Sequence, residues 1–186
     1  MVIRGRPYSY GWPSFLVQGM LGTDHNTEVN GMSNQAMIVP DTAEPLCRLI
    51  KAIESSNNFC AMRFERKVFN RITDKGFTPV IGSIQKFNHC SSDTARMIYS
   101  TSWGAYQMMG FNLYDGLKVP VSIGEFLKDY CLQDETFYQY VQWKNILYTI
   151  DELRDDRVKR DMFSLRYNGS TDYSIKIETY IKSLGL

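Results

Sequence analysis

Apolar positions after residue 41 fall into short helical repeats separated by polar breaks. Leu46, Leu49, Ile50 and Ile53 recur at i, i+3, i+4 and i+7 behind "DTAE", whose Asp41 and Glu44 have the spacing of a capping box. This predicts a helix that ends near Glu54. Val68, Phe69 and Ile72 in "ERKVFNRI" predict a short second helix starting near Glu65. From Lys75 to Ser102 no period is sustained and Ser, Asn and Asp are frequent, so loop interrupted at most by strands is expected there. Helical spacing returns at "SIGE", where Ser122 and Glu125 form a capping box ahead of Ile123, Phe126, Leu127 and Tyr130. Further helices are expected over 135–148, 155–167 and 173–184, the last marked by Tyr173, Ile177, Tyr180, Ile181 and Leu184.

Residues 1–40 have a different texture. They are rich in Gly, Asn, Pro and Ser, with short extended pieces such as "FLVQ" and "AMIV", and read as an irregular N-terminal arm ahead of one domain over 41–186. The expected class is α+β, predominantly α, with a small irregular or β region in the middle of the chain. Neither an internal repeat nor a low-complexity tract is present.

Composition narrows the function classes. Hydrophobic residues make up 44% of the 186 and charged residues 22%, the balance of an ordinary globular chain. A net charge of +1 gives no domain-wide basic field, which argues against nucleic acid as a partner. Cys47, Cys60, Cys90 and Cys131 lie far apart with no C-x-x-C, and His25 and His89 are the two histidines, so no metal site is expected and the cysteines read as buried or reduced thiols. Arg4 and Arg6 ahead of "SFLVQGMLG" imitate a signal peptide. Pro7, Pro13 and Gln18 interrupt it, so export by the general secretory route is not expected. No stretch approaches the roughly 20 apolar residues of a membrane span, so stable membrane insertion is not expected either.

Glu54 is the first candidate for chemistry. On a helix it falls about 80° round from Leu46, at the edge of the apolar stripe, and it sits at the helix C-terminus where the macrodipole disfavours negative charge. Both effects raise a carboxyl's pKa and suit a general acid. Glu65 has the opposite setting, at a helix start beside Arg63, Arg66 and Lys67, which favours the ionised form. Two carboxylates driven apart in this way are what glycoside hydrolysis uses, and no metal or organic cofactor is needed for it. The competing reading is that each is a solvated charge at a helix end.

The stretch "STSWGAYQMMGFN", Ser100 to Asn112, offers flat apolar faces and neutral side chains that both donate and accept: Ser102, Trp103, Tyr106, Gln107 and Asn112. Sugar recognition needs that mixture, and Gly104 would let a sugar approach the backbone closely. Equally, Trp103, Met108 and Met109 could fill a core while Gln107 ties down a loop. In "RYNGSTDY", Tyr167 and Asn168 end a helix and Gly169 has the place of its C′ cap.

Taken in order, "AIESSNNF", "RFERKVF", "SWGAYQMMGFN" and "FSLRYNG" resemble the N-acetylmuramidase family of bacteriophage endolysins, within the lysozyme-like superfamily. The resemblance runs from about Ala43 to Leu184. It implies a lysozyme-like catalytic domain that hydrolyses the β-1,4 bond between N-acetylmuramic acid and N-acetylglucosamine in bacterial peptidoglycan. Glu54 would be the catalytic acid and Glu65 a second carboxylate or an architectural residue. Ser102, Trp103, Tyr106, Gln107, Asn112, Tyr167 and Asn168 would line the substrate site. Asn57 and Asn58 stand where the family usually has a glycine, the segment after Phe59 is shortened, and Ser170 replaces the usual proline.

Two other readings fit the same residues. A lytic transglycosylase needs one acid and leaves a 1,6-anhydro end, and an inactive lysozyme-like protein of the virion or the wall would keep the fold alone. With no export signal expected, residence in the host bacterial cytoplasm is expected, with a holin giving access to the wall. The alternative is a virion-associated enzyme held to virion proteins through residues 1–40.

Overall fold

Short helices wound around one small sheet carry the chain in the computed structural model, which describes residues 43–75 and 78–186. The arm expected over 1–40 and the capping role expected of Asp41 lie outside the described residues. Helix α1 (Glu44–Ser55) begins with Pro45 in its first turn and Ala43 in the cap position, so Glu44 opens the helix instead of closing a capping box three residues in. Leu46, Leu49 and Ile50 bury the stripe that the spacing marks. Ser56 and Asn57 end the helix in the left-handed region, at φ 54° and 64°. Their N–H groups donate to the carbonyls of Ala52 and Lys51.

The chain then runs into β1 (Met62–Phe64) and α2 (Arg66–Lys75). Beyond it the sequence expectation fails. The stretch read as loop folds into α3 (Thr78–Asn88) and α4 (Ser92–Tyr99). Its polar residues are caps and turn formers: Ser91 Oγ accepts from Thr94 N–H at the start of α4, and His89 takes φ 48° after α3. The helices are held by a few inward residues, Ile81, Ile84, Ala95 and Ile98, in repeats too short to register as a period.

Strands β2 (Thr101–Trp103) and β3 (Met108–Met109) complete an antiparallel sheet in the order β1-β2-β3. Met62 faces Trp103, Arg63 faces Ser102 and Phe64 faces Thr101; Ser102 faces Met109. A π-helical turn, Asn112–Gly116, follows the hairpin. Helix α5 (Ile123–Lys128) has the capping box foreseen at Ser122 and Glu125. It stops at Asp129, which caps the next helix, α6 (Tyr130–Trp143), through its side chain. Tyr130 therefore opens α6 in solvent instead of extending the buried face of α5. Helix α7 (Ile150–Asp155) has its own capping box, Thr149 with Glu152, a signal the periodicity does not reveal. Helices α8 (Arg157–Asn168) and α9 (Tyr173–Leu184) close the domain, with Gly169 at φ 83° after α8. The architecture is thus α+β, mostly α, with a three-stranded antiparallel sheet. Phe126, Phe137, Leu153, Phe163 and Ile177 meet α1 in one core. Among the described residues no helix is long and apolar enough to cross a membrane.

Candidate active site

The last turn of α1 places Glu54 and Ser55 beside the β2–β3 turn, residues 104–107. Ser55 Oγ donates to the Ala105 carbonyl at 2.8 Å, which ties the helix end to that turn. Every other side of the turn is held as well. Ala105 N–H donates to Gln133 Oε1 at 2.8 Å, and Tyr167 Oη donates to the Tyr106 carbonyl at 2.7 Å. Gln107, at φ 48°, turns its amide back to the Gly104 carbonyl at 3.0 Å. Gly104 N–H continues the ladder to Ala61.

Gly104 is required here for two reasons. Its φ is 74°, and a Cβ would stand 2.4 Å from Gln133 Oε1. The sequence suggests close approach at this glycine, but what approaches is a buried amide of the protein itself. Gln133 lies in the first turn of α6 and is fully buried; its Nε2 donates to the carbonyls of Phe59 and Phe126, each at 3.1 Å. One side chain thus joins the segment after Glu54, the end of α5 and the 104–107 turn. Nothing in the local sequence "YCLQDETF" distinguishes it.

Tyr106 is buried and acts from below. Its ring stacks on Phe137 at 4.1 Å and 5°, and its hydroxyl donates to Asp134 Oδ1 at 2.6 Å. Lys51 Nζ donates to both Asp134 oxygens, at 3.1 and 3.2 Å. The Lys51–Asp134–Tyr106 chain fixes α1, α6 and the turn to one another, and burial pushes the Tyr106 phenol far up.

Glu54 contrasts with all of this. It is half-buried, and its Oε1 is shut off from solvent with no hydrogen-bond partner among the described residues. Burial raises its pKa, while Tyr173, Arg63 and Lys176 pull part of the way back. Tyr173, the first residue of α9, is buried; its hydroxyl makes no regular hydrogen bond among the described residues, yet it lies near enough to the Glu54 carboxyl to pull its pKa down as a hydrogen-bonding neighbour. Burial, and after it the charge of Glu54, lift the phenols of both Tyr173 and Tyr167 well above their ordinary range. Tyr173, Arg63 and Lys176 were not singled out from sequence, because their approach to Glu54 depends on how α9 and β1 pack.

The remaining expected site residues are dispersed. Glu65 donates its backbone N–H to the Ser100 carbonyl at 2.8 Å, and its Oε1 accepts from Arg63 Nε at 2.7 Å. Arg63 therefore acts on both carboxyls, bonded to Glu65 and electrostatically felt at Glu54. Ser102 is buried with Oγ against Met109 Sδ at 3.0 Å, and the buried Trp103 donates its indole N–H to the Ile98 carbonyl. Asn112 is buried in the π-helical turn and interacts with Tyr140, whose phenol burial pushes up to about 12. Asn168 is exposed at the end of α8. The fold thus gathers Glu54, the 104–107 turn with Tyr106 and Gln107, and Tyr167. It assigns the side chains of Ser102 and Trp103 to internal contacts.

No family model matches the chain, and no solved structure matches it. Among curated proteins, an endolysin of Enterobacteria phage PRD1 is 36% identical over 129 residues, which span 68% of this chain and 87% of that protein.

Proposed function

The chain belongs to the bacteriophage endolysin family, and on that premise we propose that it is a muramidase, cleaving the β-1,4 bond between N-acetylmuramic acid and N-acetylglucosamine in bacterial peptidoglycan. The observation that carries this reading is the Glu54 carboxyl: half-buried, raised in pKa and unpaired at Oε1, at the end of a helix fastened to an immobilised turn. A carboxyl whose pKa is raised by burial holds its proton to higher pH than an exposed glutamate, and can donate it to a glycosidic oxygen as the C–O bond breaks. The other partly buried groups at the turn, Gln107 and Tyr167, are of the kind that orients a sugar chain.

In the hydrolytic route Glu54 protonates the leaving oxygen, positive charge develops on the muramic acid ring, and water completes the cleavage. That water is delivered by Glu65, which Arg63 holds, or by a polar group of the Ser100–Gln107 loop. The enzyme waits in the host cytoplasm and reaches the wall when the membrane is breached at lysis.

Digestion of purified peptidoglycan followed by mass spectrometry of the released muropeptides tests this. Wild type is expected to release reducing-end disaccharide peptides, and Glu54→Gln to lose about 10³-fold in rate while staying folded. Anhydro-muramic products would assign the single-acid transglycosylase route. Cleavage of peptide or amide bonds, or full activity in Glu54→Gln, would overturn the reading.

A further inference from the structure

Two buried polar atoms with no regular hydrogen bond among the described residues act on each other where α9 packs along α1: Oε1 of Glu54 and the hydroxyl of Tyr173. One is an acceptor and the other a donor. Left alone in a site without water, each keeps a desolvation penalty that no bond offsets. The terminal torsion of a glutamate is soft, so the carboxyl can reorient toward the phenol at little cost. The Tyr173 ring is buried and lies 5.9 Å from that of Tyr167, whose hydroxyl is bound to the Tyr106 carbonyl.

We propose that Tyr173 is a positioning residue for Glu54: it donates to Oε1, which leaves the proton of the neutral acid on Oε2, the oxygen turned to the substrate. This rests on Glu54 being the general acid. A protonated carboxyl with nothing to distinguish its oxygens would place the proton on the buried one for part of the time, where it cannot be delivered. A donor on the buried oxygen removes that alternative, because Oε1 must then accept. The groups acting on the carboxyl are Tyr173 and Lys176 from α9, Arg63 from β1 and Tyr167 from α8. Of these, Tyr173 is the one whose own hydroxyl lacks another partner, since Tyr167 already serves the turn.

The test is Tyr173→Phe, which keeps the ring and deletes the donor. The Glu54 side-chain carboxyl carbon, labelled with carbon-13, is followed by NMR through a pH titration. Donation to Oε1 favours the ionised form, so its loss is expected to move the Glu54 midpoint upward. The high-pH limb of kcat/KM should move with it, and kcat should fall about tenfold with KM within about twofold. A residue that only filled space would move neither the midpoint nor the limb. The bond is read from its other end in Glu54→Gln, where the Tyr173 ring carbon bearing the hydroxyl should no longer respond across the pH range in which Glu54 titrates. A folded Tyr173→Phe with an unmoved Glu54 midpoint overturns the proposal. A midpoint that moves, in a protein whose Glu54→Gln variant still cuts peptidoglycan, keeps the bond and discards the acid.

Discussion

The 104–107 turn and the Glu54 carboxyl adjoin through Ser55 and are built on opposite terms. In the turn, polar groups are matched from several directions: Ser55 and Gln133 on Ala105, Tyr167 on Tyr106, the Gln107 amide on Gly104. At Glu54 a carboxyl oxygen and a phenol are buried without regular hydrogen bonds. Over-determination suits a surface that must hold a long substrate in one register. An under-satisfied carboxyl suits a group that must hold its proton until it is delivered, since every bond that steadied its charge would lower its pKa and favour early loss of the proton. The matched region thus supplies stability that the unmatched one gives up.

The largest effect expected from disturbing this contrast is in the turn. Gly104→Ala adds a Cβ at φ 74° and drives it into Gln133 Oε1. Loss of about 3 kcal/mol is expected, from left-handed strain together with the disrupted bonds of Gln133, or a fall in Tm of roughly 6–12 °C. Gln133→Ala should cost about 2–3 kcal/mol, because Ala105 N–H and the Phe59 carbonyl both lose their partner. The two changes should not add. Once Gln133 is gone the new Cβ has room, so the double variant is expected to fall short of the sum by more than about 1 kcal/mol in urea unfolding. An additive cycle would mean that Gly104 is needed for its backbone angle alone.

The same contrast governs what could be read from the residues. Helix α9 was legible because twelve residues carry one unbroken apolar face, and the half-burial of Glu54 followed from its angle on α1. Helices α3 and α4 were not, since Gly82 and the Ser and Asn caps dilute a pattern held by few buried residues. The turn was half legible: its glycine, tyrosine and glutamine drew notice, but Gln133 belongs to another helix and resembles any surface glutamine until the chain is folded. Trp103 shows the reverse case. Its ring has the character of a sugar platform, yet a sheet with one face on the core turns it inward, and its N–H finds the end of α4. Tyr173 has the spacing of a core residue and is one; only the packing of α9 against α1 brings its hydroxyl to a carboxyl.

The smallest effect expected is also the one with an unusual sign. Glu54 has a pKa raised in the folded protein, burial being the main cause. Its unfolded-state pKa is lower, so on raising the pH the unfolded chain releases the proton first. The stability this group allows is complete below the unfolded value and is lost as pH climbs through the folded one. Above the ordinary range of a glutamate the raised pKa therefore weighs against folding, and Glu54→Gln removes that load while keeping the shape. The Glu54→Gln variant should melt higher than wild type at pH 7, by about 2–4 °C for each kcal/mol relieved. The gap should close as the pH falls below the ordinary range of a glutamate, where wild type is neutral in both states. Thermal melts of the two proteins at a series of pH values check this. A gap of constant size would place the gain in packing, and a lower Tm for Glu54→Gln at neutral pH would show that the ionised carboxyl is better satisfied than the two unpaired atoms imply.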